Sequence, residues 1–205
     1  MREHLYGIDF LKMISMFMVI VGHLLVHGDV LNTVIPYSSQ YWVAWFMEVV
    51  VYCAVDCFAL TSGYLMVNSS IKISRLLEIW LQVLFYSFVI AIVMALKFVD
   101  VRNSIKIVNI VLPITYKEYW YLTAYFGLYL IIPILNTALH RMSRKDMKQT
   151  LLFIILFFIA IPTITSQDPY NINSGYSMIW LSILYLFGGY IAKYEIFGKP
   201  KGYFF

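Results

Sequence analysis

The chain has 205 residues, of which 61% are hydrophobic and 13% are charged, and its mean hydropathy is +0.77. Soluble domains carry about 25% charged residues, so this composition excludes a soluble enzyme, a disordered chain and a collagen-like chain, and indicates a membrane protein. The net charge of +4 comes with no basic stripe interleaved with aromatic residues, so no nucleic-acid partner is expected.

Apolar stretches of about 20 residues predict six membrane-spanning helices. They cover approximately 8–26, 42–67, 75–98, 119–139, 150–166 and 177–194. The first stretch is not a cleavable signal peptide, because its apolar core is longer than about 15 residues and contains Asp9 and Lys12. The predicted fold class is all-α, a polytopic transmembrane helix bundle of about six spans.

The distribution of basic residues predicts the orientation of these spans. The loops 68–74 and 140–149, the two termini and Arg75 at a helix start hold ten Lys and Arg, whereas the other loops hold four. Both termini are therefore expected to be cytoplasmic. The segment 104–115 is too short and too interrupted to cross the bilayer, and it is expected to lie in the membrane interface.

Two cysteines, Cys53 and Cys57, lie four residues apart in an apolar run and so share one helix face. A disulfide framework is not expected from this pattern. A zinc site would need two further soft ligands nearby, which the sequence does not offer, so we expect no metal. Both cysteines are interpreted as small apolar core residues.

Three ionisable residues share the first span, where charged groups are unfavourable unless they are paired or face water. Asp9 and Lys12 are three residues apart, and His23 follows Lys12 by eleven residues, about three helical turns. All three therefore lie on roughly one face, with Lys12 and His23 about 16 Å apart along the axis. This face reaches much of the way across the bilayer.

Each of these residues has a simpler alternative. Asp9 is expected to neutralise Lys12, and the pair is also consistent with side chains that snorkel to the inner interface. His23 is a candidate general base, because an imidazole can accept the proton of a hydroxyl that attacks an acyl carbon. The alternative is a buried neutral imidazole that hydrogen-bonds to a backbone carbonyl.

The second span contains two carboxylates and a run of small residues. Glu48 and Asp56 are unfavourable facing lipid, so both are expected to point inward, either orienting His23 or bracing the bundle. The small residues between Val55 and Leu65 permit close helix packing. Ser62 is a weak candidate nucleophile, because no base lies near it in sequence.

At these residues the chain resembles the acyltransferase-3 family of multi-spanning membrane acyltransferases, many of which O-acetylate bacterial surface polysaccharides. The stretches that carry the resemblance occur in the family's order along nearly the whole chain. They are Gly7 to Lys12 with Gly22-His23 (a basic-x10-His signature), Val55 to Leu65, Arg75 to Ser87, Tyr119 to Tyr125 with Pro133 to Asn136, and Gly175 to Ser177.

The sequence departs from the family pattern in two ways. Glu78 stands where the family usually has a second basic residue. Family members usually have about ten spans, so residues 1–205 are expected to form a single membrane-embedded domain that is the N-terminal portion of a longer fold, truncated at its C-terminus.

The resemblance implies a multi-pass protein of the cell (plasma) membrane that moves an acyl group from cytoplasmic acyl-CoA, usually acetyl-CoA, to a hydroxyl of a surface glycan or glycolipid. His23 would then be the catalytic base, with Asp9 and Glu48 as further catalytic residues. Lys12 and Arg75 would hold the CoA phosphates. The indole N–H of Trp120 is a candidate oxyanion donor, and an aromatic belt at the outer interface is the alternative for that residue.

Two other functions remain open at the level of sequence. One is a proton-coupled transporter or flippase for a sugar-linked substrate, in which the intramembrane ionisable residues form a proton relay. The other is an inactive membrane fragment that assembles with a partner. The lipid bilayer is a partner under all three hypotheses.

Overall fold

The computed structural model describes residues 5–97, 107–116 and 119–198. Within these ranges all regular secondary structure is helical. The α-helices are α1 (Tyr6–His27), α2 (Val30–Thr33), α3 (Ser39–Val51), α4 (Ala54–Met66), α5 (Ile73–Lys97), α6 (Ile107–Val111), α7 (Trp120–Arg141), α8 (Arg144–Ile154), α9 (Ile161–Thr165) and α10 (Met178–Lys193), with a π-helical turn at Ile155–Ala160 and a 3-10 turn at Asn173–Gly175. The all-helical prediction is confirmed for this part of the chain.

Among the described residues, five helical segments are long and apolar enough to cross a membrane. They are Tyr6–His27, Ser39–Met66, Ile73–Lys97, Trp120–Arg141 and Arg144–Thr165. Large apolar side chains such as Phe17, Leu96 and Ile134 are mostly exposed, as expected where lipid covers the helices. The sixth predicted span corresponds to α10, an apolar helix of only 16 residues.

Local capping explains where two of the helices begin. The side-chain oxygen of Ser38 accepts a hydrogen bond from the Tyr41 N–H at 3.1 Å at the start of α3. Ser143 accepts from the Asp146 N–H at 3.2 Å at the start of α8. Both are N-caps that satisfy a backbone donor without an intrahelical partner.

The chain divides into two compact units. Unit 1 comprises residues 1–67 and 184–205, and unit 2 comprises residues 68–183. The boundary at residue 184 falls within α10.

Unit 1 is held together by close contact between helix backbones. A Cβ atom added at Gly63 of α4 would collide with the carbonyl group of Tyr185 in α10, and one added at Gly188 of α10 would collide with that of Leu60 in α4. Each glycine therefore admits the backbone of the other helix, as small residues do at membrane helix interfaces. This contact confirms the close packing predicted for the Val55 to Leu65 run.

Unit 2 is organised around α7. Its side chains Leu128, Tyr129, Ile132 and Leu139 are almost fully buried. Pro133 lies inside the helix, where its ring removes a backbone donor, and the Thr137 hydroxyl donates to the Pro133 carbonyl at 2.7 Å. Residues 104–106 of the predicted interfacial segment lie outside the described residues, and the short helix α6 that follows packs against α5.

Candidate functional site

The predicted site residues are distributed over both units. Asp9, Lys12 and His23 lie on α1 and Glu48 lies on α3, all in unit 1. Arg75 in the first turn of α5 and Trp120 at the start of α7 belong to unit 2.

Asp9 and Lys12 form an ion pair near the beginning of α1. The Lys12 Nζ lies 3.9 Å from Asp9 Oδ1, and both side chains are partly exposed. The i, i+3 spacing places the two groups one above the other on the helix surface. The structure therefore brings together the pair that the sequence spacing predicted.

The imidazole of His23 is oriented by its own helix. Its Nδ1 lies 2.9 Å from the carbonyl oxygen of Val19, one turn earlier. A carbonyl oxygen only accepts hydrogen bonds, so Nδ1 carries the proton in this contact and the lone pair of the neutral ring is on Nε2. The carbonyl contact of the simpler sequence-based alternative is present, but the ring is exposed and not buried.

His27 is a neighbour of His23 that the sequence reasoning missed. The two rings lie on the same face of α1 with their centroids 5.3 Å apart. The i, i+4 spacing of the two histidines was the available sequence signal. Two imidazoles thus stand together at the end of α1.

Glu48 has a buried carboxylate oxygen, Oε2, that makes no hydrogen bond within the described part of the chain. It lies on the same face of α3 as the buried Ala44 and as Val51, at i−4 and i+3. A Cβ atom added at Gly22, the residue before His23, would lie 3.4 Å from Val51 Cγ2, so this face packs against α1.

Glu48 is thus one turn away from the α1 contact but does not orient His23 directly. Within the described residues, His23 makes its hydrogen bond to Val19 and none to Glu48. A buried acceptor with no partner is unusual and is frequently found at functional sites in membranes.

Arg75 lies just after a loop that α7 holds in place. The hydroxyl of Tyr129 accepts a hydrogen bond from the Lys72 N–H and donates one to the Lys72 carbonyl, each at 3.3 Å. The side-chain amide of Asn136 donates to the Ser69 carbonyl at 3.2 Å. Tyr129 and Asn136 are seven residues apart and therefore share a face of α7.

We name residues 68–72 the basic loop. Its two contacts with α7 fix the backbone that leads into the first turn of α5, where the Arg75 side chain is exposed. The run Pro133 to Asn136 belongs to the stretches that resemble the family, but the sequence does not predict the contact of Asn136 with this loop.

Trp120 packs among aromatic rings. Its ring centroid lies 4.5 Å from that of Tyr176 and 5.7 Å from that of Tyr121, both in edge-to-face arrangements. The residue is half-buried, and its indole N–H makes no hydrogen bond within the residues that the structure describes. The N–H is thus available as a donor, and the ring is held by packing.

Potential metal ligands do not cluster in the described ranges. Among these residues there is no group of three or more His, Cys, Asp and Glu side chains that could hold a metal ion. Cys53, the N-cap residue of α4, is an exposed free thiol, and Cys57 is a half-buried one, so the interpretation of both as core residues is wrong for Cys53.

A family model described as an acyltransferase domain, acyltransferase-3, matches residues 5–205. The chain belongs to the acyltransferase-3 family. The resemblance inferred from the ordered motifs is thereby confirmed, and the protein is a multi-pass membrane acyltransferase. No curated protein and no solved structure matches the chain.

Proposed function

We propose that this acyltransferase moves an acetyl group from cytoplasmic acetyl-CoA to a hydroxyl of an extracytoplasmic polysaccharide or glycolipid, in the plasma membrane. Family membership supports acyl transfer, and the residues of α1 support the details. A single helix carries the Lys12–Asp9 ion pair near one end and His23 near the other, which suits chemistry that connects the two membrane surfaces.

The orientation of His23 carries the proposal. With Nδ1–H donated to the Val19 carbonyl, the lone pair of Nε2 is available to accept the proton of an acceptor hydroxyl. The hydroxyl oxygen attacks the thioester carbonyl carbon and forms a C–O bond. The C–S bond then breaks, and the thiolate of CoA takes the proton from Nε2, so His23 returns to its neutral form.

The other predicted site residues bind the donor or assist this step. The guanidinium of Arg75 and the ammonium of Lys12 bind phosphate groups of acyl-CoA, Arg75 through its planar donor fork. Asp9 limits the mobility of the Lys12 side chain through the ion pair. The Trp120 N–H donates to the oxyanion that forms on the thioester carbonyl.

Glu48 is assigned a proton-holding role. Its buried Oε2 has no hydrogen-bond partner among the described residues. A carboxyl group near the face that contacts α1 can exchange a proton with a group reached through substrate or water.

Membrane vesicles with the cytoplasmic face outward test the reaction. Labelled acetyl-CoA is added outside, the vesicles contain the extracytoplasmic glycan, and the proton gradient is either kept or dissipated with an uncoupler. We expect alkali-labile label on the glycan whether or not the gradient is present. If a sugar-linked substrate crosses the membrane only when the proton gradient is present, and no new ester forms on the glycan, the result would support the transporter alternative.

A further inference from the structure

Residues 166–177, which we name the connecting loop, lie in unit 2 and join α9 to α10. Left-handed backbone conformations are concentrated in this loop. The angle φ is 52° at Ser166, 51° at Asn171, 54° at Asn173, 53° at Ser174 and 96° at Gly175. Residues other than glycine rarely adopt this region, although asparagine does so more readily than most. A loop built in this way keeps its shape only where other contacts hold it.

The carboxylate of Asp168 supplies such contacts. Its Oδ1 accepts a hydrogen bond from the Ile172 N–H at 2.8 Å, and its Oδ2 accepts one from the Asn173 N–H at 2.6 Å. Hydrogen bonds to a charged acceptor are stronger than those between neutral groups, and here each oxygen has its own donor. Asp168 therefore fixes the backbone in the middle of the connecting loop.

Backbone hydrogen bonds extend this order to the end of the loop. The carbonyl oxygen of Ile172 accepts from the Gly175 N–H at 3.2 Å, and that of Asn173 accepts from the Tyr176 N–H at 2.9 Å. The side chain of Ile172 is buried, which anchors the loop at the same point. The two residues whose N–H groups bind Asp168 thus also hold Gly175 and Tyr176.

Tyr176 connects the loop to Trp120. The two rings meet edge to face, with centroids 4.5 Å apart and an interplanar angle of 71°. Tyr121, which also contacts the Trp120 ring, is the next residue of α7 and moves with that helix. Tyr176 instead reaches Trp120 from the connecting loop. The orientation of the indole therefore depends on the loop as well as on α7.

We propose that Asp168 is a positioning residue for acyl transfer, which holds the Trp120 indole in its working orientation through the connecting loop and Tyr176. This inference rests on the proposed function, because it takes the Trp120 N–H as the oxyanion donor. Such a donor is effective only if it is fixed in advance where the negative charge develops. A displacement of about 1 Å can lower the rate of a catalysed step about 10²-fold.

Fluorine NMR tests the connection between Asp168 and Trp120 without any substrate. The full chain is labelled with 5-fluorotryptophan in lipid nanodiscs, and the Trp120 resonance is assigned by its loss in Trp120→Phe. Asp168→Ala removes both acceptor oxygens, and Asp168→Asn keeps one of them. Asp146→Ala is the matched control, because Asp146 is another exposed aspartate of unit 2, and its Oδ2 accepts a hydrogen bond from the Ser143 hydroxyl.

We expect the Trp120 resonance to shift or broaden in Asp168→Ala, to change less in Asp168→Asn, and to stay in place in Asp146→Ala. An unchanged Trp120 resonance in Asp168→Ala would overturn the proposal. An equal change in Asp146→Ala would also overturn it, because the effect would then not depend on the connecting loop.

Acetyl transfer is measured on the same variants. We expect Asp168→Ala to lower kcat about 10- to 100-fold while the KM for acetyl-CoA stays within about two-fold, and Asp146→Ala to transfer as the parent chain does. In a Trp120→Phe background, Asp168→Ala is expected to lower kcat no further, because an effect that acts through Trp120 is lost with it. An equally large loss in that background would show that Asp168 acts on the fold or on another group, and the proposal would be wrong.

The two measurements separate this inference from the proposed function. If Trp120→Phe lowers kcat but Asp168→Ala does not, the positioning role is wrong and the proposed function stands. If Trp120→Phe keeps the parent kcat, the oxyanion role in the proposed function is wrong, and the positioning role fails with it. If the parent chain transfers no acetyl, the proposed reaction is wrong, and the fluorine spectra alone decide whether Asp168 orients Trp120.

Discussion

The hydroxyl of Tyr129 ties α7 to the basic loop at Lys72, and its removal gives a quantitative prediction. Tyr129→Phe deletes one acceptor and one donor contact, both at 3.3 Å, and leaves the buried ring in place. Each intramolecular hydrogen bond contributes about 0.5–1.5 kcal/mol. Both contacts are long and Lys72 is exposed to solvent, so we expect a total loss of about 1–2 kcal/mol.

That loss is expected to be concentrated at the basic loop. A destabilisation of this size lowers the Tm of a chain of this length by about 2–8 °C. Because the loop leads into the first turn of α5, the Arg75 guanidinium is held less firmly, and the KM for acyl-CoA is expected to rise several-fold while kcat stays within two-fold.

The assay is steady-state acetyl transfer in nanodiscs, with thermal unfolding measured on the same preparations. Tyr190→Phe, on a tyrosine of α10 that is remote in sequence from the basic loop, is the control. An unchanged KM for acyl-CoA in Tyr129→Phe would refute the reasoning, even if Tm falls, because the loop would then have no part in binding the donor. A fall in kcat with constant KM would refute it equally.

Three further predictions follow from named contacts. Arg75→Lys keeps the charge but loses the planar fork, so the KM for acyl-CoA is expected to rise about three- to thirty-fold in transfer assays, and an unchanged KM would remove Arg75 from the donor site. Gly63→Leu is expected to abolish folded protein in size-exclusion profiles, because its side chain has no room against the α10 backbone, whereas Gly7→Ala, whose Cβ meets nothing within 4 Å, is expected to fold normally. Trp120→Phe is expected to lower kcat about 10²- to 10³-fold at equal membrane levels. Full activity of this variant would show that Trp120 contributes only through packing.

The helical fold was largely predictable because lipid imposes simple rules on sequence. Length and apolarity located the spans. Within the first span, Asp9 and Lys12 lie one helical turn apart, as their spacing predicts. The break in the second span was not predicted. The structure divides it into α3 and α4 around Tyr52 and Cys53, although the run is apolar throughout, because hydropathy measures burial in lipid and not the local backbone path.

The sixth predicted span corresponds to α10, which is a short helix. The predicted span 177–194 and the observed α10 (Met178–Lys193) almost coincide, but 16 residues at 1.5 Å each extend only about 24 Å, less than the roughly 30 Å of the hydrocarbon core. Composition therefore located this apolar helix, which is shorter than the five other apolar segments among the described residues.

The candidate site was predictable only where its contacts are local. His23 and Val19, Asp9 and Lys12, and His23 and His27 are each within four residues, so helical geometry alone places them together.

Contacts between distant parts of the chain depend on tertiary packing, and a single sequence carries no record of it. Tyr129 meets Lys72 across 57 residues, and Asn136 meets Ser69 across 67. The buried Oε2 of Glu48, which has no hydrogen-bond partner among the described residues, belongs to the same class, since its burial depends on how α3 packs.

Comparing His23→Gln with His27→Gln tests whether Nε2 of His23 is the base of acyl transfer. Both variants remove one imidazole from the same face of α1, where the two rings lie 5.3 Å apart, so nonspecific effects on this helix end are matched. At equal membrane levels, with labelled acetyl-CoA on the cytoplasmic side, we predict that His23→Gln lowers the transfer rate about 10²- to 10⁴-fold and that His27→Gln stays within ten-fold of the parent chain. Equal rates for the two variants, or transfer by His23→Gln at more than a tenth of the parent rate, would rule out His23 as the base.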